Sequence, residues 1–420
     1  IDIGGSSLIR AAAKNHQDVN VLVDAKQYDS FLQELKLGDG LTSDPFRRNL
    51  AKAAFQHSAQ YEAAIANYFS NGVSETATTQ ITETVSSSNT NELPDTMSLN
   101  LNKIRDMRYG ENPHQKAALY LLNNSNTPID PAQPEGFELL NGKPLSFNNI
   151  VDMESAWGLA TEFKTQPACV VVKHNNPCGV ALGQTAQEAY HTAFFADSLS
   201  AFGGVVALNT KVTVQAAEQM KDVFLEVIVA PDFEDEALEL LRSKKNLRVI
   251  KRPLPSSETA PAHTFKQVAN NQFLVQINDI EKTTEIDLLA EQQALDIVTD
   301  TRPTPEQIDD MIFAWKVCKH VKSNAIVIAK DKRTVGIGVG QTSRIGALEI
   351  ALRQACDEAK GAVMASDGFL PAEDNVVAAA QARVAAIIQP GGSIKDKDVI
   401  ALANQSQLAM VTTGVREFRH

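Results

Sequence analysis

The chain has 420 residues, 43% of them hydrophobic and 21% charged, which is enough apolar material for two or three globular domains with substantial cores. A formal net charge of −12 and a pI near 5.2 argue against a protein that coats nucleic acid, while leaving room for a local basic pocket around a phosphorylated small molecule. No apolar run approaches the roughly 18 residues that span a bilayer and no signal peptide opens the chain, so a cytoplasmic protein without membrane or nucleic-acid partners is expected.

The sequence starts at Ile1 with Asp2-Ile3-Gly4-Gly5-Ser6-Ser7, and it reads like the interior of a domain whose beginning is absent. Two glycines ahead of a helix over 8–14 could offer backbone N–H groups to an anion, although a tight strand-to-helix turn explains them as well. Residues 19–23 read as a strand, and 43–69 as helices carrying Phe46, Leu50, Ala54 and Phe55 at helical spacing. This part is expected to be small and α/β. From 74 to 100 the composition turns to Ser, Thr, Asn and Glu with little to bury, which marks a linker between a domain over 1–73 and one over 101–420. Beyond it Arg108 and Tyr109 sit in a polar loop suited to holding a phosphate, followed by a strand over 117–122.

A helix over 152–163 leads into Val170, Val171 and Val172, a β-branched run that reads as a strand buried on both faces. It stops at Lys173-His174-Asn175-Asn176-Pro177-Cys178-Gly179, where Asn, Pro and Gly predict a turn. Lys173 and His174 therefore stand where a rigid element hands over to a loop, a usual place for reacting groups. Imidazole takes a proton near neutral pH and a neighbouring ammonium favours its neutral form, so the pair suits a general base; a surface pair held by hydrogen bonds is the competing reading. Helices over 186–196, 215–224 and 236–242 alternate with strands over 205–208 and 227–230, predicting a largely parallel sheet. Thr304-Pro305-Glu306-Gln307 carries a capping-box signal for a helix to about 321. Two strands joined at 331–333, a long helix opened by Ser343-Arg344, and a strand, helix and strand over 363–388 repeat the order of the first half, which suggests two similar subdomains, roughly 101–300 and 301–420.

Two motif readings fail on their own residues. Gly336-Ile337-Gly338-Val339-Gly340 has its third glycine one position early for a dinucleotide loop, so a Gly-rich strand approached closely by a ligand or another chain is preferred over an NAD site. Lys173-His174 with Pro177-Cys178 is reminiscent of nucleobase deaminases, but Asn176 and Ala181 replace the glutamate and second cysteine that a zinc site needs. The four cysteines, Cys169, Cys178, Cys318 and Cys356, form no C-x-x-C pair, and reduced thiols are expected.

Taken together, the Arg108–Gln115, Val171–Gly179, Ala201–Gly204, Lys322–Asn324, Gly338–Ile345 and Ser366–Phe369 motifs, with Asp374-Asn375, closely resemble the bifunctional AICAR transformylase/IMP cyclohydrolases of purine biosynthesis in their bacterial form. The resemblance spans essentially the whole chain. It implies the C-terminal part of a methylglyoxal-synthase-like cyclohydrolase domain over 1–73, then a transformylase domain of two cytidine-deaminase-like α/β/α subdomains without zinc. It implies formyl transfer from 10-formyltetrahydrofolate to the 5-amino group of AICAR, giving FAICAR, in a homodimer with sites at the subunit interface and no catalytic metal. His174 would accept the proton beside Lys173, with Asn324 and Asp374 also catalytic. Arg108, Tyr109, Lys245 and Arg416 would hold the ribotide phosphate, and Asn149, Gly203, Glu226, Arg344 and Phe369 would join Asn324 in orienting the base and carboxamide. Ile345, Asp374, Ser393 and Ile394 match folate-side positions. Asp2 and Lys14 match cyclohydrolase positions, the others lying upstream of Ile1, so ring closure by this chain is not expected. A non-catalytic purine-ribotide-binding or regulatory protein on the same fold is the alternative.

Overall fold

The computed structural model describes residues 1–71, 93, 95–97, 99–122, 135–255, 263–277 and 295–420. Most of the expected linker over 74–100 lies outside the described residues. The chain divides into two compact units, one of Ile1–Asn102 with Tyr120–Pro128, the other of Lys103–Leu119 with Ile129–His420.

In the first unit the described residues form helices Gly4–Lys14, Tyr28–Leu37 and Asp44–Asn71, packed on a small cluster of Ala13, Val21, Ala51 and Ala54. The expected strand over 19–23 does not form. Its backbone has no ladder among the described residues, and the β-branched run instead contributes Val21 to the helical cluster, so the α/β reading of this part is corrected to helical. The Gly4 and Gly5 amides are taken by the chain's own Asp2, whose carboxylate accepts from both at 3.1 and 2.9 Å.

In chain order the strands are β1 (Leu101–Met107), β2 (Ala117–Leu122), β3 (Glu138–Asn141), β4 (Ala168–Lys173), β5 (Asn176–Leu182), β6 (Val205–Leu208), β7 (Val227–Ala230), β8 (Arg248–Lys251), β9 (His263–Gln267), β10 (Phe273–Ile277), β11 (Asp296–Ile297), β12 (Ile326–Lys330), β13 (Arg333–Gly338), β14 (Val363–Ser366), β15 (Ala386–Gln389) and β16 (Ala409–Thr412). β1 with β2 and β9 with β10 make two-stranded sheets, and the other twelve form one sheet in the order β11-β16-β15-β14-β12-β13-β5-β4-β6-β7-β8-β3. Among the described residues only β6-β7-β8 and β14-β15-β16 run parallel in it, so the expectation of a largely parallel sheet is corrected to a mixed one.

The two halves of that sheet share one wiring. A helix (Phe147–Ala160 or Pro305–Lys319) precedes a hairpin (β4-β5 or β12-β13), whose first strand pairs antiparallel with the first of three parallel strands. Each triplet is closed by an antiparallel outer strand, β3 on β8 and β11 on β16. Even the irregularity is repeated, at Val171/Val172 and at Ile328/Ala329. The halves meet where β13 pairs antiparallel with β5, Arg333 opposite Ala181. That antiparallel join points the two hairpins to opposite edges of the sheet.

The apolar residues of each strand alternate between two faces. Helices Phe147–Ala160 and Pro305–Lys319 cover one face through a continuous core that includes Val170, Val172, Trp157, Trp315 and Val327. Helices Ala186–Ala196, Val214–Met220 and Asp235–Arg242 cover the other face of the first half, and Arg344–Ala355, Asp374–Gln381 and Asp396–Gln405 that of the second. The glycines of β13 belong to this packing. A Cβ on Gly336 or Gly338 would stand 2.1 Å from the Ala351 carbonyl or 1.8 Å from that of Ala347, so the close approach is made by the chain's own helix, not by a ligand or a second chain. The predicted capping box at Thr304 is present, with Thr304 N donating to Gln307 and Gln307 N to the Thr304 hydroxyl.

Candidate active site

Antiparallel pairing brings to one edge the end of β4, the starts of β6, β7 and β8, the start of β12 and the ends of β13 through β16. Most of the sequence candidates stand along this edge.

Lys173 ends β4, and its ammonium donates to the Phe202 carbonyl at 2.9 Å. The following Asn-Pro-Cys-Gly stretch is not a loop. His174 and Asn175 form a two-residue hairpin turn with φ of +53° and +64°, and β5 returns at once through Pro177. Two left-handed residues in succession are the type I′ signature, usually met by Asn-Gly. Here long-range contacts hold the turn. Asn175 N donates to Asp152 Oδ1 at 2.7 Å, Ser155 Oγ meets Asn175 Oδ1 at 3.2 Å, and Asn176 reaches back to the His174 carbonyl. Lys322 N donates to Asn176 Oδ1 at 3.3 Å, which ties this hairpin to the start of β12 in the other half. Cys178, half-buried behind it, has its thiol pushed up to about 12 by burial and by Asp197, so it is inert as a nucleophile.

The strongest polar cluster of the second half is centred on Arg344, the first residue of its helix and almost fully buried. Its guanidinium donates to Ser366 Oγ at 2.8 Å, to the Asp367 carboxylate and to Asn324 Oδ1 at 2.8 Å, while Asn324 Nδ2 donates to the Gln341 carbonyl. Asp367 was not among the sequence candidates; its signal was its place in the Ser366-Asp367-Gly368-Phe369 motif. Gly368 is required there, because a Cβ would stand 2.5 Å from the Arg344 guanidinium and 2.6 Å from the Phe418 ring. Phe369 is partly exposed beyond it.

Arg416 lies on the C-terminal tail, its guanidinium 4.5 Å over the Phe418 ring. The tail runs back along the same edge, with Glu417 N donating to the Asp367 carbonyl and Ser323 N to that of Arg419. Arg419 also meets His320, which bonds Glu162 at 2.9 Å beside Lys319. Burial opposes the charge of Glu162, but the hydrogen bonds and charges of His320 and Lys319 outweigh it and hold that carboxyl at about 2.

The remaining candidates are less uniform. Arg108 stacks on Tyr109 and donates to its hydroxyl at 2.8 Å, and Asn148 anchors the loop through the Glu111 carbonyl. Asn149 is buried, its Oδ1 accepting from Ser146 N and Oγ in a capping box, which leaves only its NH₂ for a ligand. Gly203, at φ +73°, donates to the Phe224 carbonyl. Glu226 is paired at 2.6 Å with Arg248, a partner missed in the sequence. Lys245 is exposed in the turn before β8. Asp374 opens its helix and accepts from Asn375, Ile345 packs on the second-half core, Ser393 accepts from Lys395 N, and Ile394 is fully exposed. Asp2 and Lys14 lie in the other unit at the two ends of the first helix. Among the described residues no three His, Cys, Asp or Glu side chains gather as a metal-ligand set, and no helix is long and apolar enough to cross a membrane.

A profile of the AICARFT/IMPCHase bienzyme family matches residues 12–354. The chain belongs to this family. It is 44% identical over 420 residues to the bifunctional purine biosynthesis protein PurH of a Nostoc strain, and 45% identical to the proteins of that name from Rippkaea orientalis and Caldicellulosiruptor saccharolyticus. Each match covers 100% of this chain and 76% of the Nostoc and Rippkaea relatives. A solved structure of Acinetobacter baumannii RibD overlaps 25% of the chain and 35% of its own at 15% identity and a TM-score of 0.20, too small an overlap to bear on the fold. Membership in the bienzyme family fixes the function: the chain is an AICAR formyltransferase of purine biosynthesis with a folate cosubstrate, in a family whose second activity is IMP cyclohydrolase.

Proposed function

We propose that His174 is the general base of formyl transfer and Lys173 its electrostatic partner, with 10-formyltetrahydrofolate as the donor. The 5-amino group of AICAR is conjugated with the neighbouring carboxamide and is a weak nucleophile. As its nitrogen attacks the formyl carbon, its proton passes to the imidazole and the carbonyl electrons collect on oxygen; the oxyanion then re-forms the carbonyl as the C–N bond to the folate breaks, and the imidazolium gives its proton to the departing tetrahydrofolate nitrogen. The observation that carries this reading is the hairpin itself, which holds the Lys173–His174 pair at the edge shared with Asn324 and Arg344. Asn324, Arg344, Phe369, Asn149, Gly203 and Glu226 orient the base and carboxamide, Asp374 assists the transfer, and Ile345, Ser393 and Ile394 face the folate. Formyl transfer assayed with AICAR and 10-formyltetrahydrofolate tests the whole reading.

Arg108, Tyr109, Lys245 and Arg416 form the phosphate grip in this proposal. The stacked pairs Arg108–Tyr109 and Arg416–Phe418 support it, because each aromatic face presents a planar donor fork. Arg416→Ala is expected to cost about 1.5–3 kcal/mol of binding, raising KM for AICAR with little change in kcat. Steady-state kinetics across AICAR concentrations would count against the grip if kcat fell while KM held.

On domain organisation, the twice-used sheet wiring supports two subdomains of cytidine-deaminase type without zinc within 101–420, and 1–73, with Asp2 and Lys14, as part of the cyclohydrolase domain. We further propose a two-fold homodimer. Its support is the exposed apolar set Phe195, Leu199, Phe202 and Phe224, next to the carbonyl that holds Lys173. Sedimentation should give a dimer at micromolar concentration. If each site draws on both chains, mixing inactive His174→Asn and Asp374→Asn subunits should restore about a quarter of the activity; a monomer, or no recovery on mixing, would sink the shared site.

A further inference from the structure

The second half of the sheet repeats the hairpin of the first without its imidazole, and the comparison isolates one side chain. Asp152 is the sixth residue of helix Phe147–Ala160, and Asp310 is the sixth of helix Pro305–Lys319. Each carboxylate accepts from the backbone amides at the tip of the hairpin that follows. Asp310 takes both, Asp331 N at 2.9 Å and Lys332 N at 2.7 Å, at a turn whose φ values of +53° and +55° match those of His174 and Asn175. Asp152 accepts from Asn175 N at 2.7 Å, and the His174 amide also helps to hold its charge.

We propose that Asp152 is a positioning residue that sets the orientation of His174. The orientation follows from the clamp. A histidine in the left-handed region carries a backbone cost, and the carboxylate, with Ser155 one turn further along the helix, holds the tip against relaxing out of it. Burial pushes the Asp152 carboxyl above its ordinary range, while the Asn175 amide and His174 pull it back. The clamp is a device of the fold, as Asp310 demonstrates. Its coupling to an imidazole is particular to the first half.

This inference rests on His174 as the base, so its test separates turnover from substrate affinity. Asp152→Ala removes the acceptor of the Asn175 amide, and kcat should fall about fivefold or more while KM for AICAR changes by less than about twofold. Asp152→Asn keeps an oxygen for that amide and should recover most of the lost turnover. Asp310→Ala should lower the melting temperature and leave kcat unmoved. Unchanged kcat in Asp152→Ala, or an equal fall in Asp310→Ala, would overturn the proposal. Should Asp152→Ala fail to fold, Ser155→Ala removes the second tether; slower turnover with KM held supports the proposal, and unchanged turnover overturns it. Full turnover by His174→Asn would sink the base assignment instead, whatever the Asp152 variants give.

Discussion

Replacing His174 by alanine is expected to lower kcat by roughly 10²-fold or more while KM for AICAR changes by less than about threefold, the scale of a lost general base. The expectation depends on the turn surviving the change. Its tip is held by main-chain contacts to Asp152 and by Asn175 and Asn176, none of which involve the imidazole ring, so removal of the ring leaves those bonds in place. Alanine tolerates a left-handed φ less well than histidine, and His174→Asn is therefore the companion variant, since asparagine is suited to that region. Both should melt within a few degrees of the wild type and both should be slow. If His174→Ala weakens AICAR binding by the same factor by which it slows turnover, the ring is a positioning group and the proton leaves through Lys173, water or the substrate's own carboxamide.

Asp367→Ala is expected to destabilise the second unit by about 3–5 kcal/mol, because it leaves the Arg344 guanidinium buried with its charge unmatched. The melting temperature should fall by on the order of 5–10 °C. Side-chain exposures of 6% for Arg344 and 0% for Asp367 decide the size of the effect, since water cannot take over the lost contact. The change should also reach activity, because Asn324 shares the same guanidinium and the Asp367 carbonyl receives the tail that carries Arg416. An Asp367→Leu, Arg344→Met pair, which removes both charges, should recover much of the stability and none of the lost turnover. Thermal unfolding that moves by less than a degree in Asp367→Ala would show that Asn324 and Ser366 alone suffice for the arginine.

Much of the second unit was legible in the sequence because its signals are local. The buried β-branched run before Lys173, the Thr304 capping box and the turn at 331–333 each depend on residues a few positions apart. The end of that strand at Lys173 was legible for the same reason. What misled were features settled by distant partners. His174-Asn175 lacks the glycine of an ordinary two-residue hairpin, because an aspartate 23 residues upstream of Asn175 does the work that glycine usually does, and the stretch consequently looked like an open loop. The join of β13 to β5 leaves no periodic trace, since antiparallel and parallel neighbours bury the same alternating residues. The glycines of β13 looked like an invitation to another molecule until their helix was in place. Val19 to Val23 had strand character and, among the described residues, no strand to pair with.

The pair of clamped hairpins has a consequence for how this protein can change. Wherever a turn's shape is secured from outside, the residues at its tip are released from the duty of shaping it, and selection can treat them as reagents. In the first half that freedom holds a histidine; in the second it holds an aspartate and a lysine with no assigned chemistry. The fold therefore keeps a spare socket on its far edge, already wired, into which a new side chain could be placed without redesigning the backbone beneath it.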